Sequence, residues 1–320
     1  MTRAMSGDAR GRDATRPTQI PKQGWRDIAL RVKEQVAEDN VDMISAGVAF
    51  YLFFAMFPAL LAGLSIYGLF ADPATVAEQI QALAAYMPAE VQGILGDQLT
   101  NITSASGQAL GLSLLIGIVV ALWSAMKGVK ALMTAFNIAY DENEERGFIK
   151  FNLIAFGLTL FVLVFGLVVL LIVAVIPVVL AAIGLGAVTE WIVRLVRWPI
   201  LFGLVMAILA VLYRFAPSRA EPQWRWATPG ALLATALWLV ASLAFSFYIS
   251  NFGNYNETYG AVAAVVILLF WLYITAYVVI LGAEVNSEME RQTRRDTTTG
   301  EEKPMGQRHA YAADTLGEER

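Results

Sequence analysis

Amide and phenol side chains are concentrated in one short polar stretch, NFGNYNETYG, between two long apolar runs. The amides of Asn251, Asn254 and Asn256 can each donate and accept hydrogen bonds. Tyr255 and Tyr259 have rings that suit a membrane interface. Such groups at the end of a span can bind a substrate or an ion, and they can equally hold an irregular backbone segment that water does not reach. The sequence leaves both roles open.

Charged side chains at the edges of the apolar runs form a second candidate site. Lys127 and Lys130 follow one apolar run, and Glu284 and Asn286 close the last one. Glu284 is expected to be ionised and to pair with one of the two lysines or with Arg214, because an unpaired carboxylate near a membrane is costly. The lysines either extend their ammonium groups to the interface or line a vestibule that attracts anions.

Composition excludes several kinds of chemistry. The chain contains no cysteine, so disulfides, thiolate catalysis and cysteine-based zinc sites are ruled out. Its single histidine, His309, lies in a polar tail, where a metal ligand is not expected. The acidic run at 141–145 is typical of a solvated loop. We therefore expect no catalytic residue, no metal and no cofactor.

The apolar runs indicate an integral membrane protein. The chain of 320 residues is 57% hydrophobic and only 16% charged, which is too apolar for a soluble protein of this length. Segments long enough to cross a hydrocarbon core of about 30 Å fall at 43–70, 108–127, 150–182, 192–214, 228–250 and 259–282. They predict an all-α bundle of six transmembrane helices. Pro58 lies inside the first span and is expected to kink it.

The basic residues predict the direction of the bundle. Of the 23 lysine and arginine residues, all but Arg194 and Arg197 fall on the side of the N-terminus if the chain crosses six times. Positive charge accumulates on the cytoplasmic side of membrane proteins. Both termini are therefore expected in the cytoplasm, and the polar N-terminal segment lacks the apolar core of a secretion signal.

The segments outside the spans predict three further features. Residues 71–107 carry apolar side chains at helical spacing and predict an outward amphipathic hairpin, which either seals the bundle or moves as a lid. The tails, residues 1–24 and 291–320, are polar and are expected to be disordered. The membrane domain then comprises residues 25–290.

Several motifs together carry a family resemblance. They are ISAGVAFYLFFAMFPALL in the first span, YRFAP at 213–217, TPGA at 228–231, the polar stretch at 251–260, WLY at 271–273 and GAE at 282–284 followed by Asn286. This combination resembles the YihY/BrkB family of bacterial inner-membrane proteins over about residues 25–290. The resemblance implies a multi-pass protein of the inner membrane. Members of that family have carried ribonuclease and virulence labels, and a transport role has been suspected.

Two functions of different classes follow. Ribonuclease activity is not expected, because the chain has a net charge of −4 and no usable histidine. We expect either a transporter of a small solute, ion or lipid, or a non-catalytic scaffold for envelope integrity or virulence. A polar cavity between helices would distinguish them, since only a transporter needs one. The lipid bilayer is the expected partner, nucleic acid is not, and protein partners stay open.

Because the chain has no cysteine, single introduced cysteines report its direction in the membrane. Cysteine placed at Gln81 or Gln98 should react with a membrane-impermeant thiol reagent added to intact cells. Cysteine placed at Glu144 or Gln292 should react only after the cells are opened. Labelling at position 144 in sealed cells would overturn the predicted direction.

Overall fold

The computed structural model describes residues 9–70, 107–183, 187–252 and 261–320. The chain divides into two compact units, which are described separately. The first unit consists of Met1–Ala46, Leu132–Leu243 and Ile274–Arg320, and the second of Gly47–Ala131 and Ala244–Tyr273. In the described ranges the regular elements are helices, with one isolated β-bridge between Pro222 and Thr298.

A 3₁₀ turn at Pro17–Gln19 precedes the α-helices. In chain order, these are α1 Lys22–Glu38, α2 Val41–Phe70, α3 Gly107–Ala139, α4 Phe148–Ile183, α5 Ala187–Phe215, α6 Trp224–Phe252, α7 Ala261–Glu290 and α8 Tyr311–Asp314.

Helices α2 to α7 contain six segments long and apolar enough to cross a membrane. Within the described residues these are Val41–Pro58, Leu115–Ala139, Phe148–Val169, Leu195–Phe215, Trp224–Ile249 and Val262–Glu290. A helix satisfies its own backbone hydrogen bonds, which is what a lipid environment requires. Large apolar side chains such as Val240 and Leu243 are exposed, as expected for surfaces that face lipid. The predicted all-α, six-span fold is confirmed.

Helix α2 continues through Pro58. Proline lacks the backbone N–H, so the carbonyl of Phe54 has no helical donor at this point. The kink itself stays a prediction. Residues 71–106 of the predicted outward hairpin lie outside the described residues, so the hairpin also stays a prediction.

Helices α6 and α7 meet backbone to backbone at Gly230 and Gly282. A Cβ atom added at Gly230 would overlap the carbonyl oxygen of Gly282. One added at Gly282 would overlap the hydroxyl of Tyr213 and would lie 2.8 Å from the carbonyl oxygen of Gly230. Small residues permit this close approach of two membrane helices. Glycine is therefore required at both positions.

The side chains of Asn286 and Tyr213 fix this crossing. The Asn286 Oδ1 atom accepts a hydrogen bond from the Gly230 N–H at 2.7 Å, and its Nδ2 donates to the Ala227 carbonyl at 3.0 Å. The Tyr213 hydroxyl of α5 donates to the Val279 carbonyl of α7 at 2.7 Å. All three hydrogen bonds are buried, so they set the rotation of α7 against α5 and α6.

In residues 9–24 and 291–320, the described parts of the tails, several polar groups are buried, which differs from the disorder that composition predicts. The Arg308 guanidinium is 4% exposed, and it donates to the Arg294 carbonyl at 2.8 Å and to the Ala313 carbonyl at 2.6 Å. The Arg12 guanidinium donates to the Gly317 carbonyl at 2.8 Å, and Gln292 is buried. Polar composition suggested solvation, but here guanidinium groups satisfy backbone carbonyls and so fold the segments together.

Substitution of Gly282 by alanine should destabilise the protein strongly. Overpacking a close contact costs about 1–3 kcal/mol, and here the added methyl meets backbone and a buried hydroxyl. The measurement is the midpoint of thermal unfolding of the purified protein in detergent. Gly157→Ala is the control, because a Cβ at Gly157 meets no atom within 4 Å. Equal midpoints for the two variants would contradict the close contact.

Candidate functional site

Glu284 lies two residues before Asn286 on the face of α7 that the crossing fixes. Its side chain is fully buried, at 0% exposure. Neither carboxylate oxygen accepts a hydrogen bond from a described residue. An ionised carboxylate buried without a donor is very unfavourable. This group therefore needs either a proton or a ligand.

Asp39 is the nearest acidic neighbour of Glu284. It caps the C-terminus of α1, and its half-buried carboxyl lies within hydrogen-bonding reach of the Glu284 carboxyl. The buried Oδ2 atom of Asp39 also has no donor among the described residues. Ionised carboxylates only accept hydrogen bonds, so a hydrogen bond between these two requires a proton on one of them.

The surroundings of Asp39 favour its protonated form. Burial raises the pKa of the Asp39 carboxyl to about 6, and the negative charges of Asp141 and Glu38 act in the same direction. The Glu284 carboxyl within hydrogen-bonding reach opposes this rise. Burial likewise raises the pKa of the Asp141 carboxyl, with the charge of Arg291 opposing it. The region around Asp39 thus resists the accumulation of negative charge.

Tyr140 adds a buried hydroxyl to the same place. It follows α3, is 0% exposed, and its electrostatic neighbours include Glu284. Its hydroxyl, near the Asn286 amide, makes no well-directed hydrogen bond with the described residues. Burial raises the pKa of Tyr140, so the hydroxyl keeps its proton. The ring is held by the Arg219 guanidinium, 4.8 Å from its centroid.

Four acidic side chains form what we call the carboxyl cluster: Asp39, Asp141, Glu284 and Glu288. Only part of it is neutralised. Glu288 is ion-paired with Arg31 and, at 2.5 Å, with Arg291.

Arg291 also lies 3.8 Å from the Asp141 carboxylate. Asp39 and Glu284 have no arginine or lysine partner in the described ranges. Across those ranges, no group of three or more His, Asp or Glu side chains is arranged to hold a metal ion. The unneutralised part of the carboxyl cluster is therefore the Asp39–Glu284 pair.

A second polar feature of the first unit is a cavity of about 530 Å³. We call it the basic cavity and define it by four of its lining residues, Arg146, Lys150, Arg214 and Arg219. It lies where α4 begins and α5 ends, and Ile154 and Phe215 supply an apolar part of its wall. Two acids, Glu145 and Glu221, also line it. Cations thus outnumber anions among these lining residues.

Three cations of the basic cavity are held by partners. The Arg214 guanidinium pairs with Glu221 at 2.9 Å and lies 4.5 Å from the ring centroid of Trp224. Arg219 pairs with Glu290 at 2.7 Å, and both side chains are fully buried. Arg146 pairs with Glu144 at 2.6 Å.

The fourth cation of the basic cavity is exposed. Lys150 has no ion pair among the described residues. Its ammonium group is therefore free to meet an anion that enters the cavity. The three arginines, held in place by their partners, give that anion a fixed positive wall.

The predicted amide site is only partly described. Asn254, Tyr255, Asn256 and Tyr259 lie outside the described residues. Asn251 is exposed near the end of α6, and its amide donates to the Phe247 carbonyl at 2.9 Å. The binding role of these five residues stays a prediction.

The predicted network of charges at the membrane edge has a different pattern of contacts. In the second unit, the Lys127 ammonium lies 4.0 Å from the ring centroid of Trp123, and Lys130 lies in the same unit. In the first unit, Arg214 pairs with Glu221 instead of Glu284. The expected basic partner of Glu284 is not found among the described residues, because Glu284 faces another carboxyl.

Sequence reasoning missed Asp39 and Tyr140. Asp39 stands just before the first predicted span and Tyr140 stands between the second and third, both on the same predicted side of the membrane as Glu284. The sequence does show an acidic and a phenolic side chain on the predicted side of the membrane where Glu284 lies, and this was the signal that could have indicated them. The pairing itself depends on how α1, α3 and α7 pack, which no local pattern records.

Residues 32–306 match the family model described as Virulence factor BrkB. The chain belongs to the BrkB virulence factor family. This confirms the resemblance drawn from the motifs, and the matched range includes Asp39, Tyr140 and Glu284. It also includes residues 291–306 of the C-terminal tail, which belongs to the first unit.

Individual proteins similar to this chain are consistent with its membership of the family. A ribonuclease-like protein named YfkH from Bacillus subtilis is 30% identical over 260 residues, which cover 78% of this chain and 90% of that protein. A UPF0761 membrane protein from Xanthomonas campestris is 42% identical over 81 residues, covering 25% of this chain and 19% of that protein. One from Pseudoalteromonas translucida is 36% identical over 96 residues, covering 30% and 32%. No solved structure matches the chain.

Stability should depend on the protonation of Asp39. Its pKa in the fold, about 6, is above the ordinary value of 3.8, so the folded protein binds the proton more tightly than the unfolded chain. The resulting stabilisation is full below pH 3.8 and is lost as the pH rises through about 6. Asp39→Asn should reduce this decrease in stability between pH 3.8 and about 6. The measurement is the midpoint of thermal unfolding at several pH values in that range. An unchanged slope would show that Asp39 does not titrate there.

Proposed function

We propose that this BrkB family member is a transporter that moves a small solute, an ion or a lipid across the bacterial inner membrane, with both termini in the cytoplasm. The observation that carries the proposal is the basic cavity. A scaffold needs only packed helices and exposed surfaces. A transporter needs a polar space that its substrate can enter.

The size of the basic cavity supports this reading. Its volume of about 530 Å³ falls within the range of about 300–1,000 Å³ that is typical of small-molecule sites. Polar side chains and apolar ones share its wall, which suits a substrate with one charged and one apolar part. Lys150 in its wall is exposed to water.

The position of the cavity supports access from both water and lipid. Phe148 and Ile149, which begin α4 beside Lys150, are 84% and 81% exposed. Exposed apolar side chains at the start of a spanning helix are expected to face lipid. Lys150 and the end of α5 would then lie at the level of the lipid headgroups.

The charge of the cavity favours an anionic group on the substrate. Basic pockets between membrane helices at headgroup level bind phosphate groups of lipids. Inorganic phosphate and a phospholipid headgroup share this chemistry. The guanidinium of Arg214, held between Phe215 and Trp224, offers directed donors to either of them.

Flux through the purified protein in liposomes tests the proposal. One arm measures uptake of radiolabelled inorganic phosphate, and the other measures movement of a fluorescent phosphatidylglycerol between leaflets. We expect one of the two probes to move faster than in protein-free liposomes. Lys150→Gln should lower that rate several-fold, because it removes the exposed cation of the cavity.

The matched control is Arg225→Gln, which removes an exposed arginine that does not line the cavity. It should leave the rate unchanged. If neither probe moves, the transport proposal fails for phosphate-bearing substrates, and the scaffold function gains support. Equal loss of rate in both variants would show that the cavity has no special role.

A further inference from the structure

We infer that Glu284 and Asp39 form a proton-binding centre, in which one proton is held between their carboxyls and exchanges with water through Asp39. The observation behind this inference is the burial of Glu284 without any donor or cation in the part of the chain that the structure describes. A second, independent group points to the same place. The hydroxyl of Tyr140 is also fully buried and lies near the Asn286 amide without a well-directed hydrogen bond, and the charge of Glu284 acts on it.

The side chains that face Glu284 are acidic or phenolic, and a proton shared between two carboxyls reduces their combined negative charge. From the end of α1 Glu284 faces Asp39; from the segment after α3 it faces Asp141 and Tyr140; from α7 it faces Glu288. Every charged neighbour in this set is acidic. Two ionised carboxylates in contact would repel each other, and both Glu284 oxygens and the Asp39 Oδ2 atom would be buried without donors.

The nearby arginines are already engaged. Arg31 donates to Glu288 and, at 2.9 Å, to Gln292. Arg291 pairs with Glu288 and approaches Asp141. Neither guanidinium pairs with Asp39 or Glu284 among the described residues, although the Arg291 Nε atom has no acceptor there. A proton therefore supplies the missing positive charge of the inner pair.

A small polar cavity lies beside the centre, although neither Asp39 nor Glu284 lines it. It has a volume of about 200 Å³ and is lined by residues that include Glu34, Glu38, Glu288 and Arg291. Glu38 directly precedes Asp39, and Glu288 lies one helical turn after Glu284. Because Asp39 is only half-buried, it is the carboxyl through which the proton leaves. On release, the proton passes to water and both carboxylates become ionised.

Tyr140 completes the centre as a donor. A buried phenol that keeps its proton can donate to one Glu284 oxygen when that carboxylate is ionised. This would make the deprotonated state accessible without unfolding. The use of this proton to drive transport rests on the transport function proposed above, whereas the shared proton itself does not.

Infrared difference spectroscopy of the purified protein in lipid nanodiscs tests the centre, because a protonated carboxylic acid has a carbonyl stretch that a carboxylate lacks. Spectra are recorded while the pH is raised through the neutral range. We expect the wild-type protein to show the band of a buried protonated carboxyl, and Glu284→Gln to lose it. Glu221→Gln, which removes an exposed carboxylate, should keep the band.

Asp39→Asn is the second variant, and it decides the question if Glu284→Gln does not fold. Removing the acidic neighbour should let Glu284 ionise more readily, so the band should disappear at lower pH than in the wild-type protein. A band that Glu284→Gln leaves intact, or that Asp39→Asn leaves at the same pH, would overturn the inference. The infrared signal needs no flux, so absence of transport in liposomes would reject the proposed function and leave the proton centre standing.

Discussion

The close contact between Gly230 and Gly282 is the constraint on which the organisation of the first unit depends. Two backbones can approach to this distance only where neither residue has a Cβ atom. Asn286 then satisfies an N–H and a carbonyl of α6 with its two amide atoms. This arrangement fixes the rotation of α7, and with it the direction in which Glu284 and Glu288 point.

The same rotation separates two kinds of buried charge. Glu288 and Glu290 each meet an arginine, so their burial is compensated by ion pairs and hydrogen bonds. Glu284 meets only acids and a phenol. Compensated pairs such as Arg219–Glu290 stabilise the packing around the C-terminal end of α7. Glu284, an uncompensated acid in the same region, is a group whose charge can change. Acids that stabilise the packing and an acid that can change its charge thus lie within two helical turns of α7.

The sequence alone predicts much of the fold and little of the site. Apolar runs mark the spans because the thickness of the bilayer sets their length, and the family motifs are local strings of residues. The partner of Glu284 is different in kind. Asp39 lies 245 positions earlier in the chain, and only the packing of three helices brings the two together.

The prediction of disordered tails differs from the structure for a related reason. Composition predicted solvated segments, but Arg308 finds backbone carbonyls that become available only in the folded chain. Disorder is inferred from a lack of apolar residues, and that inference omits guanidinium groups that bind carbonyls in a confined space.

The folded C-terminal segment has a consequence for biosynthesis. Its contacts with Arg12 and Arg31 join an early part of the chain to Gly317 and Glu318, which are translated much later. The spans can enter the membrane one after another, but these contacts form only after both of their partners have been translated. Insertion of the spans therefore precedes the contact between the two tails.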